Sequence, residues 1–497
     1  MNVEQTGNLR NNPYNIVLNS DDIGTILKGK IAKGDIEGAI NLMCDNDIEV
    51  DKALKEYDPK QHAVMRRRDK DRKGKNPYIS EKLPRTRQRY INEIALFFLL
   101  GKPIIWRRKR GDEEAYNLFV DFLDDNDFDD LMREAKRLAG SETESTVVFE
   151  LTGEGGKIEV TPFVAARSKG FRTRTLFDKY GHLVALAYGY GTKADSLTKW
   201  HWDILTAEKT YYTYRDEKGW HKDEYDNPTE KINALYFSQR KEWDGAEPRM
   251  HREEMADSKV ADSNNYFSDP MAEATADVIA NLKEPDVPGR LIQLSGANSR
   301  FGYIQPPADS PTRIAEKKDL NDSMLFDTFT PDFSYDNIRG LGSLSGEALR
   351  NALKIGYIKR DNNIEIYGKM VKRFKNVVIA ILKQLHPDKA KELDELRIEF
   401  SFADPFGDAK DALWSGICQL RGAGLVSLET AVRMLNLTGD DESEIERLRM
   451  EEAERMQAQQ EAAEGLQAAK NPEGPNPEDI KKQKQTQEEK ENENAES

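Results

Sequence analysis

The spacing of apolar residues changes twice along this chain, and the change constrains the fold more than any other feature of the sequence. Up to residue 139, apolar side chains recur every three or four residues, as on one face of a helix. From 145 to 240 they alternate or form short runs between turn sequences such as DKYG, DEKG and YDNP. Helical spacing returns near residue 250. The pattern predicts an α+β fold with a block of antiparallel hairpins between helical segments.

The N-terminal half is expected to begin with a loose polar arm over residues 1–20. Short amphipathic helices are predicted between 21 and 62, and one helix over 113–139. A helix opened by Pro84 and ended by Gly101 has apolar side chains on one face, namely Tyr90, Ile91, Ile94, Phe97 and Phe98. The hairpin strands are expected in STVVFELTG, GKIEVTPFVA, LVALAYGYG, KTYYTYRD and INALYFSQ.

Further along, Asp269 and Pro270 are typical of a helix start and predict a helix over 271–283. Two short strands (290–296 and 300–307) and a second helix (313–329) are expected next. A strongly amphipathic helix is predicted over 365–385, and a strand over 397–405. Residues 424–456 indicate two helices, the second opened by a capping box of Ser443 and Glu446. The tail from about 466 has almost no apolar residues, which predicts disorder.

Composition limits the class of protein. A chain of 497 residues is expected to hold about three domain-sized units. Its net charge of −15 suits a soluble protein, and its apolar fraction of 38% favours an extended, surface-rich molecule or one with disordered ends. Two cysteines exclude a disulfide framework and a cysteine metal cage, so we expect a reduced, intracellular protein. The N-terminus has no apolar core of a signal peptide, and the longest apolar run, IALFFLL, is too short to cross a bilayer.

Candidate catalytic or metal sites are weak. The best histidine cluster comprises His201, Asp203, His221 and His251, without paired ligand spacing, and is interpreted as strand and turn side chains. GYGTK (189–193) is interpreted as a hairpin turn. Five aspartates lack the glycine and final glutamate of an EF-hand and predict a solvated acidic loop: Asp124, Asp125, Asp127, Asp129 and Asp130. We expect no catalytic residue, cofactor or metal.

Lysines and arginines cluster in two basic blocks, 65–75 and 106–110. Such clusters are typical of proteins that contact the phosphates of nucleic acids. Each has acidic neighbours, so a solvated charged face is the simpler interpretation, and direct contact with nucleic acid stays open.

The stretch GLGSLSGEALR (340–350) contains three glycines before an expected helix. Its spacing matches neither a dinucleotide fingerprint nor a P-loop, and no buried strand precedes it. We therefore interpret it as a flexible turn, capped by Ser343 or Ser345, rather than as a nucleotide site.

Four stretches, in this order, resemble the portal proteins of tailed bacteriophages. YISEKLPRTRQRYINEIALFFLLGKPI resembles the early helix of that family, which ends in Gly-Lys-Pro (101–103). The hairpins, the helix, the two-stranded tip and the returning helix resemble the wing, stem and clip. TPDFSYDNIRGLGSLSGEALR resembles the segment after the second stem helix, and GLVSLETAVRMLNLTGDDESEIERLRMEEAE resembles the crown. In the segment 241–268, aliphatic residues are fewer than in the family.

The resemblance implies a portal-type subunit with a helical and antiparallel-β wing, a helical stem, a small α/β clip and a helical crown. The implied ranges are an arm (1–20), wing (21–249), first stem helix region (250–283), clip (284–311), second stem helix (312–330), channel loop and following helix (331–354), wing return (355–400), crown (401–465) and disordered tail (466–497).

The resemblance also implies a function. Portal proteins form a ring, typically of twelve subunits, at one capsid vertex, through which double-stranded DNA is packaged and ejected. The implied partners are the terminase large subunit, which is the packaging ATPase, the major capsid protein, the scaffold and a head-completion or tail adaptor, with no membrane. The implied location is the virion, and the host cytoplasm during assembly.

In that family the glycine-rich stretch is a loop that faces the channel. The implied channel-loop residues are Asn337, Arg339, Gly340, Gly342, Ser343, Ser345 and Gly346. Two alternatives stay open: another ring or adaptor protein of a virion, which would be smaller and mainly helical, and a cytosolic enzyme, which would show a deep pocket with converging ionisable groups.

Overall fold

The computed structural model describes residues 19–20, 22–69, 78–154, 157–194, 197–268, 272–274, 300–303, 311–335, 351, 353–406, 410–435 and 441–470. Most of the predicted arm, clip and tail, and all seven predicted channel-loop residues, lie outside these ranges. The chain divides into two compact units, one built from 1–106 and 110–408 and the other from 107–109 and 409–497. Within the described residues, no helix is long and apolar enough to cross a membrane.

Most helices of the first unit lie before residue 144 or after residue 238. They are α1 (Ile23–Ala32), α2 (Ile36–Leu42), α3 (Asp47–Tyr57), α4 (Arg87–Leu100), α5 (Glu113–Asp125), α6 (Phe128–Glu142), α7 (Glu247–Ser268), α8 (Pro311–Asp327), α9 (Lys354–Leu385) and α10 (Ala390–Glu395). The predictions of short helices near the N-terminus, of the helix that ends at Gly101 and of the helices over 313–329 and 365–385 are confirmed. The helix after Pro84 begins three residues later, at Arg87.

The strands are β1 (Cys44–Asp45), β2 (Ile104–Arg110), β3 (Glu144–Glu154), β4 (Lys157–Ala165), β5 (Arg172–Phe177), β6 (Leu183–Ala194), β7 (Leu197–Thr206), β8 (Lys209–Asp216), β9 (Gly219–Asp226), β10 (Ala234–Ser238), β11 (Ala272–Ala274), β12 (Phe301–Tyr303) and β13 (Arg397–Phe402). One antiparallel sheet has the order β1-β5-β6-β7-β8-β9 and another the order β10-β3-β4. The predicted run of antiparallel hairpins is confirmed.

The core of the first unit forms around α9 and the three-stranded sheet. Tyr367, Val371, Phe374, Val378 and Ile381 recur every three or four residues along α9 and are fully buried. Phe374 stacks on Phe128 with ring centroids 3.6 Å apart. This spacing explains why the sequence predicted the helix so clearly. A second core lies where α1 and α2 cover one face of the six-stranded sheet.

Three corrections concern the N-terminal half. The single helix predicted over 113–139 is two helices, because Asp127 adopts a left-handed backbone (φ 47°) that interrupts them. GYGTK is not a turn; it continues β6 in register with β7. Strands β5, β7 and β9 were not predicted. Strand β7 does alternate charged or polar with apolar side chains, and β5 begins by alternating arginine with threonine, but both were overlooked, whereas the consecutive charged residues 222–224 leave β9 without an apolar period.

The helix predicted over 271–283 is wrong where the structure describes it, because residues 272–274 form β11 and pair with β12 (301–303). The helix in this part of the chain lies earlier, as α7 over Glu247–Ser268. The strand predicted over 300–307 is confirmed at 301–303, whereas the one over 290–296 lies outside the described residues.

The second unit contains α11 (Lys410–Gly422), α12 (Leu428–Leu435) and α13 (Asp441–Lys470). Ser427 caps α12 by accepting a hydrogen bond from the backbone N–H of Thr430 at 3.1 Å, and α12 is the first of the two helices predicted over 424–456. The next helix begins at Asp441, two residues before the predicted capping box. It also continues to Lys470, so the predicted disorder from 466 is wrong for residues 466–470.

Candidate functional site at the borders of the glycine-rich segment

The two chain ends that border the segment 336–350 are held by the body of the first unit. Helix α8 ends at Asp327 and leads into residues 328–335, and the described chain resumes before α9 at Lys354. We call residues 328–335 and 353–360 the loop base. All seven channel-loop residues predicted from the sequence lie between its two parts, outside the described residues.

The first part of the loop base is a tight turn. Phe329 has a positive φ of 49°, and the backbone N–H of Thr330 donates to the carbonyl of Leu325 at 2.8 Å. The hydroxyls of Thr328 and Thr330 lie 2.9 Å apart, and that of Thr328 donates to the carbonyl of Met324 at 2.8 Å. This turn redirects the chain as it leaves α8.

Tyr90 of α4 fixes the next residues. Its hydroxyl donates to the carbonyl of Pro331 at 2.8 Å and accepts from the backbone N–H of Phe333 at 2.7 Å. Burial raises the pKa of Tyr90, so the hydroxyl keeps the proton that it donates. The Tyr90 side chain thus provides hydrogen-bond partners for one backbone carbonyl and one backbone N–H in a segment without regular secondary structure.

Aromatic packing joins the two parts of the loop base. Phe333 lies against Phe98 of α4 at 6.4 Å between ring centroids, and Phe98 meets Tyr357 of α9 at 5.7 Å. Gly356 allows this approach, because a Cβ there would lie 2.3 Å from the Phe98 ring. The Tyr357 hydroxyl donates to the Asp404 carboxylate at 3.0 Å.

A buried charge network lies directly beneath the turn. The Lys359 ammonium donates to the carbonyl of Thr328 at 3.1 Å and to the Thr330 hydroxyl at 3.2 Å. It also forms an ion pair with Glu242 at 3.1 Å, and Lys136 forms a second ion pair with the same carboxylate.

This network contains two lysines for one carboxylate. Although burial acts in the opposite direction, Lys136 and Lys359 lower the pKa of Glu242 to about 2. Gln239 accepts hydrogen bonds from Lys136 at 3.2 Å and from the Tyr367 hydroxyl at 2.7 Å. Every ion in the network therefore has a partner, which is the condition for burying charge.

The acidic face of α7 binds an extended segment that precedes α4. The backbone N–H groups of Glu81, Leu83 and Arg85 donate in turn to Asp262, Ser258 and Glu254. We call residues 79–86 the strap. Two residues of extended chain and four residues of helix both advance about 6 Å, so alternate strap amides meet every fourth helix residue.

Arginines complete the contact between the strap and α7. Arg67 pairs with Asp262, and Arg87 forms a bidentate pair with Glu253 at 2.8 and 3.1 Å. Part of the first basic block thus serves an intramolecular contact, whereas residues 70–77 lie outside the described residues.

His62 is a site residue that the sequence did not reveal. Its two ring nitrogens lie 2.6 Å from the Glu254 carboxylate and 2.8 Å from the carbonyl of Glu56. Burial lowers the pKa of His62, but Glu254 raises it more, and the net shift is upward. Because both nitrogens face acceptors, the imidazolium form fits this position.

The predicted histidine cluster is divided between two places. Tyr214 lies between His201 and His221, with ring centroids 5.9 and 4.6 Å away, whereas His251 lies on α7. Asp203 is buried and accepts from the Tyr190 hydroxyl at 3.0 Å. Burial, reinforced by the Glu150 charge, raises the pKa of Asp203 to about 7.

The five predicted acidic-loop residues lie at the junction of α5 and α6. Asp129 differs from a solvated side chain, because it accepts from the backbone N–H of Ile104 at 3.2 Å and burial raises its pKa. Among the residues that the structure describes, no group of three histidine, cysteine, aspartate or glutamate side chains could hold a metal ion.

A family model described as phage portal protein, SPP1 Gp6-like, matches residues 46–465. Among solved structures, a chain from the neck of an empty gene transfer agent particle, computed with C6 symmetry, has 11% identity and a TM-score of 0.40, over 71% of this chain and 89% of that one. A chain from the native neck, computed with C12 symmetry, has 12% identity and a TM-score of 0.38 over the same shares. No curated protein matches this chain.

Proposed function

Because this chain belongs to the SPP1 Gp6-like family of phage portal proteins, we propose that about twelve copies form a ring at one capsid vertex. The centre of the ring is the channel for packaging and ejection of double-stranded DNA. The same ring is the docking platform for the packaging motor, which is the terminase large subunit, and for a head-completion or tail adaptor. The major capsid protein and the scaffold contact it during assembly in the host cytoplasm.

Portal proteins are structural components of the virion, so the chain is not an enzyme. The alternative of an adaptor protein predicts a smaller, mainly helical chain. Two antiparallel sheets of six and three strands in the first unit favour the portal assignment over that alternative.

The pairing of α7 with α8 supports their assignment as stem helices. Arg252 forms an ion pair with Glu316 at 2.6 Å, and Lys317 one with Asp257 at 3.1 Å. Between the two helices in sequence, β11 and β12 form a small antiparallel pair, as a clip at the end of a stem requires.

The loop base is the observation that carries the proposed role of the channel loop. A segment that moves around DNA needs fixed ends, and Tyr90 and Lys359 hold the chain where it leaves α8. Between the ends, Gly340, Gly342 and Gly346 give the chain access to many backbone conformations. We assign transient phosphate contact to Asn337 and Arg339, and a lining role to Ser343 and Ser345.

The net negative charge of the subunit is compatible with a channel through which DNA slides. Each subunit carries a net charge of −15, so about twelve copies carry a large negative charge. A predominantly acidic channel would repel phosphates and limit adhesion of DNA while it slides.

The test is DNA packaging into capsids by two loop variants. Gly340→Pro with Gly342→Pro restricts φ near −65° and removes two backbone donors within the segment, so packaging should slow or stall. Tyr90→Phe removes both hydrogen bonds that the Tyr90 hydroxyl forms with the loop base and should also slow packaging. Both variants should still assemble into rings, because the first changes only the segment 336–350 and the second keeps the half-buried aromatic group of residue 90.

Tyr225→Phe is the matched control for Tyr90→Phe, because Tyr225 is exposed on the edge strand β9. It should package DNA at the wild-type rate. Normal packaging by the double proline variant would remove the segment 336–350 from the mechanism, and failure of that variant to fold would identify it as a packed turn.

A further inference from the structure

A basic pocket lies on the first unit between the C-terminal half of α9, the start of β13 and the residues just before β10. The cavity has a volume of about 400 Å³. Its polar lining consists of Lys231, Lys375, Asn376, Lys383, Asp394 and Arg397. No sequence motif indicated this pocket, because its cations come from three separate parts of the chain.

Hydrogen bonds to the backbone fix two of these cations. The Lys375 ammonium donates to the carbonyl of Ile398 at 2.9 Å, and Arg397 donates to the carbonyl of Asp394 at 2.8 Å. Lys383 pairs with the Asp394 carboxylate at 2.5 Å. The pocket is therefore held in shape by contacts that leave several N–H donors for a ligand.

The pocket carries an excess of positive charge. Lys372 lies next to it, and burial together with Arg397 and Lys372 lowers the pKa of Lys375. Asp394 is the acidic residue among those that line the pocket, and Glu399 acts on Lys375. This surplus contrasts with a chain in which 89 acidic residues outnumber 74 basic ones.

Two of these cations are not neutralised by ion pairs within the described residues of the subunit. Within the described ranges, no carboxylate forms an ion pair with Lys231 or Lys372, and both side chains are exposed. Like charges gathered without partners repel one another, so a bound anion would relieve a cost that the folded subunit carries.

We propose that the basic pocket binds phosphate groups of the DNA backbone. Lysine ammonium groups bind phosphate oxygens as point charges, and the Asn376 amide adds an uncharged donor. The proposal rests on the proposed function, because it assumes that the ring contacts DNA during packaging and ejection.

An acidic polypeptide fits the pocket less well. Stable protein interfaces bury aromatic or large aliphatic side chains at their centre. None of the exposed large apolar side chains within the described residues lines this pocket.

The experiment measures binding of a short fluorescent DNA duplex to the full-length protein as a function of KCl concentration. Lys231→Gln with Lys372→Gln removes two charges that form no ion pair, so folding should be preserved. Each lost phosphate contact lowers the slope of log affinity against log salt by about one, and the double variant should lower it by about two.

Lys28→Gln with Lys209→Gln is the matched control, since both lysines are surface residues that pair with acidic side chains elsewhere on the unit. Its slope should equal that of the wild type. Equal slopes for the pocket variant and the control would overturn the proposal, as would competition by polyglutamate as effective as that by unlabelled duplex. Mass photometry on the same samples measures ring formation independently of DNA binding. Absence of rings would contradict the proposed function but not the binding of phosphate by the pocket.

Discussion

At the scale of single residues, buried charge decides how the loop base is held. Glu242 lies between two ammonium groups, and one of them, Lys359, also holds the turn after α8. Removing one partner of a buried ion pair leaves an uncompensated charge in a medium of low dielectric constant. The network therefore links the folding stability of the unit to the position of the loop.

We predict that Glu242→Gln destabilises the protein by about 3–5 kcal/mol, because two buried lysines lose their only shared carboxylate. Denaturant unfolding followed by circular dichroism measures the change. Glu316→Gln is the control, since its pair with Arg252 is largely exposed and should contribute no more than about 1 kcal/mol. Equal losses in the two variants would show that the network does not stabilise the subunit.

Asp203 and Glu144 make folding stability depend on pH. Burial raises the pKa of each carboxyl to about 7, above the 3.8 and 4.5 of the unburied groups. A folded-state pKa above the unfolded value means that the folded state binds protons more tightly. The stabilisation is fully present below about pH 4 and is lost as pH rises toward 7.

For Asp203→Asn we therefore predict a smaller loss of stability between pH 4.5 and pH 8 than in the wild type. The asparagine can still accept from the Tyr190 hydroxyl but does not ionise. The difference should amount to roughly 2–4 kcal/mol, from about three pKa units. Asp178→Asn, at an exposed turn where the pKa is lowered, should not reproduce it. Identical pH profiles for Asp203→Asn and wild type would contradict the assignment.

At the scale of elements, the contact between the strap and α7 shows why part of the fold could not be predicted. Helix α7 buries Glu253, Glu254, Ser258 and Asp262 instead of an apolar stripe. Apolar spacing indicates the return of helix near residue 250 but does not give the bounds of α7, and the family resemblance was weakest in the same segment for this reason. The strap itself has no regular structure and no period.

We predict that Asp262→Ala releases the strap without unfolding the sheets. The backbone N–H of Glu81 and the Arg67 guanidinium lose their acceptor, so hydrogen exchange at the amides of residues 81–85 should accelerate. Exchange in β6 should not change. Asp319→Ala on α8 is the control, and unchanged strap protection in Asp262→Ala would contradict this account.

Helices and strands in which apolar residues recur at a regular spacing were predictable from the sequence. Features that depend on a single backbone conformation or on charged side chains were not. Helix α9 was evident from its stripe through Tyr367, Phe374 and Ile381. The break between α5 and α6 depends on the backbone of one residue, Asp127. Strand β9 is an edge strand rich in charged residues, which a search for alternating apolar residues overlooks.

The candidate site was predictable only in part. The sequence marked the glycine-rich segment, but not the residues that anchor its ends. Tyr90 fits the apolar face of α4, and nothing in the sequence shows that its hydroxyl serves Pro331 and Phe333. Lys359 resembles any surface lysine until the fold places it beside Glu242.

At the scale of the whole molecule, the account depends on assembly. Under the proposed function, a ring at a capsid vertex gives the proposed channel loop an axis to face and brings the basic pocket into contact with DNA. Family membership over residues 46–465 supports the ring, and the ion-paired helices α7 and α8 are the stem that we propose for each copy.

Electron microscopy of the purified full-length protein, with mass photometry on the same sample, tests this claim most directly. The account predicts rings of about twelve subunits with a central hole, at micromolar concentration or after addition of capsid and scaffold proteins. Particles that remain monomeric under all of these conditions would contradict it.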